Sequence, residues 1–119
     1  MRRYLEIEPN DMDSKNNLAW ILATSPDPNI NNPSEAIMLA QEICRVTDYK
    51  VPNALDTLAA AYASGGRFVE AVDVANKAVK LAEEANQPQL KNTVQEHLCF
   101  YTRNKPYIDS AQKASSSSD

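Results

Sequence analysis

Two stretches of this chain repeat one arrangement of small and bulky residues, and that repetition constrains the fold more than any other feature. In the clearer copy, Leu55, Leu58, Ala59 and Tyr62 are followed by Gly66, then by Ala71, Ala75 and Ala78. The earlier copy has Leu18, Ala19 and Leu22, then Ala36 and Ala40. Recurrence every third or fourth residue is the period of one helix face. Small residues at Ala19, Ala59, Ala71 and Ala78 let helices approach closely, while Leu18, Leu22, Leu58, Tyr62 and Phe68 fill the gaps left between them. A single helical pair cannot bury such a face, so pairs must stack. The expected class is all-α.

Punctuation places the elements. A helix is expected over Asp13 to Thr24, with Leu18, Ile21 and Leu22 on its apolar face. Ser25 to Asn32 is rich in Pro, Asn and Asp and reads as a loop. Asn32-Pro33-Ser34-Glu35 combines a capping side chain, a first-turn proline and an acid that can reach back. That helix should run to about Thr47, with Ala36, Ile37, Ala40, Ile43 and Cys44 inward. Asp48 to Val51 is a link, and Pro52 opens a helix that ends at Ser64. Gly65-Gly66 breaks the chain, as expected after a helix C-terminus. Arg67 to about Ala85 is helical again, with Phe68, Ala71, Val72, Ala75, Ala78, Val79 and Ala82 on one side. Pro88 starts a last helix with the stripe Leu90, Val94, Leu98 and Tyr101, and Lys105-Pro106 ends it.

The repeat resembles the tetratricopeptide pattern, in which W-x2-L-G-x2-Y precedes A-x3-F and a closing proline. Leu18 and Leu58 are 40 residues apart, against a family period of about 34. Most of the excess lies between Leu18 and Ala36, which are 18 residues apart where Leu58 and Ala71 are 13 apart. An insertion at one hairpin tip leaves both helices in register. Departures from the pattern are Lys15 and Leu55 at the leading aromatic, Ala59 for glycine, Ala75 for the second aromatic and Glu83 at the closing proline.

The resemblance implies antiparallel helical hairpins stacked as a short right-handed α-α superhelix. Residues 1–9 would end a preceding repeat helix, because Met1 to Glu8 reads as helix and Pro9 stops it. Residues 10–49 would form a first hairpin with an insertion at 25–32, and 50–86 a second. Residues 87–106 would cap the stack, and 107–119, with its serine run, would be a disordered tail.

In that family the first helices of the hairpins line a concave groove that takes a peptide or an extended segment of a partner protein. By register, Asp13, Asn16, Trp20, Asn53, Asp56 and Ala60 fall near this groove. Trp20 has two readings: packed under the 25–32 loop, or lining the concave surface as an anchor. The variant of the family that clamps a carboxylate uses lysine and asparagine. Trp20, Ala60 and Asp56 do not reproduce it, and a groove bearing Asp13 and Asp56 should prefer neutral or basic segments.

Composition argues against other classes. The 119-residue chain has a formal net charge of −4 and no basic stripe, which disfavours nucleic acid. Cys44 and Cys99 lie far apart without a Cys/His cluster, so no metal site is expected, and Cys44 reads as a buried thiol. No nucleophile elbow, phosphate loop or zinc-protease signature is present. His97 reads as a partly exposed helix residue, and Glu83-Glu84 and the Asp11/Asp13 pair as solvated helix ends. No apolar run approaches the roughly 20 residues of a membrane span. The expectation is a scaffold that is not an enzyme, needs no cofactor or metal, binds a protein or peptide and is soluble, with the cytoplasm favoured. The alternatives are an accessory segment of a larger, enzymatic protein, or a self-assembly module pairing through Tyr4, Leu5 and Ile7 into a homo-oligomer.

Overall fold

Five helices and their turns make up residues 12–108, the part of the chain described by the computed structural model. They are α1 (Met12–Thr24), α2 (Pro33–Val46), α3 (Pro52–Ser64), α4 (Phe68–Glu84) and α5 (Pro88–Thr102). No strand occurs among the described residues, so the class is all-α as expected. The expected helix end at 1–9 and the serine-rich residues after 108 lie outside the described residues.

Local chemistry sets the boundaries. Proline occupies the first turn of α2, α3 and α5, where its missing N–H has no helical acceptor to lose. At the other ends, the chain leaves the helix through left-handed residues. These are Asp48 and Tyr49 after α2, Gly66 after α3, Asn86 after α4 and Asn104 after α5. Each exit closes with an amide that reaches back five residues: Tyr49 to Cys44 O, Arg67 to Tyr62 O, Gln87 to Ala82 O and Lys105 to Phe100 O, all at 2.7–2.9 Å. Glycine and asparagine suit this conformation best.

Consecutive helices pack side by side, and α1 also packs on α3. Helix α3 is therefore surrounded by its neighbours. Its buried positions are Ala54, Leu55, Asp56, Thr57, Leu58, Ala59, Ala60, Ala61 and Ala63. Alanines Ala71, Ala75 and Ala78 of α4 meet it in the main core, with Ala19, Ala40, Ile43 and Cys44 from the other side. A second cluster joins Ala23, Ala36, Ala60 and Ala61 beneath Trp20, Leu22 and Ile37. Burying Leu55 and Leu58 contributes about 2 kcal/mol each by area. Helix α5 sits mainly on α4 and only lightly on α3.

The 25–32 loop is tied down by its own side chains. Asn29 N–H donates to Asp27 Oδ1 at 2.9 Å, an Asx turn. Asn31 is the latch: its amide donates to Ala23 O and Ser25 O, and its Oδ1 accepts from Ser64 Oγ at 3.0 Å. Asn32 Oδ1 caps α2 by accepting from Glu35 N–H at 3.3 Å. The loop thus joins the end of α1 to the end of α3.

Candidate functional site

Because α5 rests on α4 more than on α3, a recess of about 350 Å³ opens between α1, α3 and α5. Its walls are Asn16, Asn17 and Trp20 from α1, Asn53, Asp56 and Thr57 from α3, and Leu90, Thr93 and His97 from α5, closed by Tyr107. Helices α2 and α4 contribute nothing to it. Spacings of three, four and seven residues explain why each helix presents its lining residues together.

The centre of the recess wall is a buried polar pair. His97 Nδ1 donates to Asp56 Oδ1 at 2.9 Å, and both side chains are almost fully enclosed. A carboxylate only accepts, so the pair places the hydrogen on Nδ1 and leaves Nε2 as the other edge of the ring. Two aromatic rings pack against the imidazole. His97 lies 5.3 Å from Trp20 and 4.2 Å from Tyr107, ring centre to ring centre, and Trp20 lies 5.8 Å from Tyr107. Phe100 meets Tyr107 in an edge-type contact, with ring centres 5.5 Å apart.

Among the described residues, two buried polar atoms near this pair have no hydrogen-bond partner: Asn16 Oδ1 and Tyr101 Oη. Tyr101 lies one helical turn beyond His97 and is fully buried. Burial, then the charge of Asp56, then Tyr107, push its phenol well above the ordinary range.

An imidazole held by a carboxylate is one part of an acid–base site. Here the recess threonine hydroxyls are otherwise engaged: Thr57 Oγ1 donates to Asn53 O at 3.3 Å and Thr93 Oγ1 to Gln89 O at 3.0 Å. No cluster of three or more His, Cys, Asp or Glu side chains suited to a metal occurs among the described residues. The two cysteines are free; Cys44 is buried, which pushes its thiol up to about 11, and Cys99 is exposed. No described helix is long and apolar enough to cross a membrane.

Of the six residues placed near a groove from sequence, Asn16, Trp20, Asn53 and Asp56 share this recess. The side chain of Asp13 lies outside the described residues. Ala60 is elsewhere, fully buried against Ala23, Ala36 and Ala61, where only a small side chain fits. Trp20 packs over the alanine cluster of Ala23, Ala36, Ala60 and Ala61 and also lines the recess. His97 needs correction. Expected as partly exposed, it is 4 % exposed and paired. Tyr107, counted with the tail from sequence, is half-buried against His97. Asn17, Thr57 and Thr93 join the recess without any sequence pattern that marks them, and Leu90 joins it from the apolar stripe of α5. A scan against family models, a search of curated proteins and a search of solved structures each found no match.

Proposed function

We propose that this chain is a non-catalytic interaction scaffold of tetratricopeptide-like build, and that the α1–α3–α5 face holds an extended segment of a partner protein. The observation that carries the reading is the composition of the recess. Its walls come only from alternate helices, and they combine amide side chains with an aromatic cluster. Amides can donate to and accept from a peptide main chain at once, while aromatic faces supply contact area at low entropic expense.

The packing pattern supports the same architecture. Helix α1 packs on α2 and α3, and α3 packs on α4 and, lightly, on α5. In a stack of hairpins, first helices meet first helices along one face and second helices cover the other. Fold alone does not give function, so the binding face is the claim to test.

Selection from a displayed library of random peptides provides the test, followed by mapping of the best binder on the amide spectrum of the labelled protein. Binding should move the signals of Asn16, Trp20, Asn53 and His97, and Asn53→Ala should weaken it without altering the helical spectrum. Selected peptides that move the outer surfaces of α2 and α4 instead would overturn the reading. So would a library that returns no binder.

A further inference from the structure

We infer that the recess between α1, α3 and α5 receives a guanidinium group, supplied by an arginine of the bound segment. The inference rests on the groove reading above and names the side chain that the groove selects.

The first observation is an under-satisfied carboxylate. Asp56 is 5 % exposed, and its one side-chain hydrogen bond among the described residues comes from His97. An ionised carboxylate has room for about four, and a buried charge with few donors is unfavourable until donors arrive. The second is Asn16 Oδ1, a buried atom of a residue in the same recess that accepts no hydrogen bond among the described residues. Both vacant capacities are for acceptors, so the missing partner is a donor.

The third observation concerns shape. Trp20 and Tyr107 border the recess with ring centres 5.8 Å apart and planes tilted by 40°. Aromatic faces attract a cation laid against them, and tryptophan does so best. Among the described residues, neither Lys nor Arg lines the recess. A planar cation with several N–H donors can lie on an aromatic face while its edge serves a carboxylate and an amide oxygen. An ammonium is a compact, strongly hydrated point charge and cannot use the aromatic face in the same way. The volume of about 350 Å³ is within the usual range for a small-group site.

The probes are three capped pentapeptides that differ only at the central residue: arginine, its neutral isostere citrulline, or lysine. Each is titrated into the labelled protein while the Trp20 indole and His97 ring signals are followed. The arginine peptide should saturate both signals, with citrulline weaker by roughly tenfold or more and lysine in between. Asp56→Asn keeps an oxygen for His97 Nδ1 and removes the charge, so it should erase most of the arginine preference. Trp20→Leu should weaken arginine and lysine binding while sparing the helical fold.

The peptide comparison needs no variant to fold. Equal binding of arginine and citrulline at these signals would overturn the guanidinium anchor and leave the groove reading standing. No movement with any peptide also overturns the anchor, while the library selection decides the groove separately. Signals that shift with protein concentration alone would assign the recess to a second copy of the chain and overturn the arginine assignment.

Discussion

Helix α3 buries nine of its thirteen residues, whereas α5 buries three of fifteen. The difference is one of neighbours and of chemistry. Seven of the nine positions on α3 are apolar, and most of those are alanine, so backbones approach closely and few polar side chains need a partner. On α5 the three buried residues are Val94, His97 and Tyr101, and two of them bring polar atoms into the interior. One of these atoms is satisfied by Asp56 and the other is not. The alanine side of α3 contributes cohesion, while the α5 side tolerates polar groups and leaves space. A binding site fits the second region better, since functional sites are where packing rules are relaxed.

The largest expected effect falls on the alanine side. Ala59 is fully buried, and Leu at that position has no room without moving a helix. Ala59→Leu should therefore lower stability by about 3 kcal/mol, read from urea unfolding. Loss of cooperativity should accompany it, because α3 touches every other helix. A change below about 1 kcal/mol would mean that the two regions are equally loosely packed, and the contrast would fail.

The next effect is local. Asp56→Ala strips a buried imidazole of its acceptor and should cost about 2 kcal/mol. Hydrogen exchange should show the loss concentrated in α5, with α3 and α4 still protected. Asp56→Asn should recover most of it. Uniform loss of protection across all helices would show that α5 is not a separable region but part of one core.

How the two regions read from sequence differs in the same way. The alanine positions Ala19, Ala59, Ala71, Ala75 and Ala78 were legible because small residues at helical spacing have few other uses. The helix exits were partly legible. Gly66 announces a left-handed residue, whereas Asn86 and Asn104 do the same work with less obvious chemistry. His97 is hard to place from sequence because the stripe of apolar residues on α5 passes over it. Position 97 is three residues after Val94 and seven after Leu90, so the period places it on the buried face whatever its polarity. Its partner Asp56 lies 41 residues away, and no local pattern could connect them. Tyr107 was illegible for another reason. It follows Pro106 outside any helix, and its place is set by the aromatic neighbours that the tertiary fold brings to it.

The smallest effect concerns the unsatisfied phenol. Tyr101→Phe removes a hydroxyl that makes no hydrogen bond among the described residues, so stability at neutral pH should stay within about 1 kcal/mol of the parent. The consequence at high pH is larger. Burial and the Asp56 charge keep Tyr101 protonated in the folded state beyond its ordinary 10.0, so the unfolded chain loses that proton first. Stability supplied by this group is intact below pH 10.0 and falls as pH rises further. Cys44 acts in the same direction from its ordinary 9.0 up to about 11. Urea midpoints of the parent should therefore be level up to about pH 9 and then decline, with Cys44 starting the fall and Tyr101 steepening it. Tyr101→Phe should keep the first part of the decline and lose the steeper one. If the variant is weaker by about 2 kcal/mol or more at neutral pH, the phenol has a partner after all, and the α5 region is as well satisfied as the alanine side.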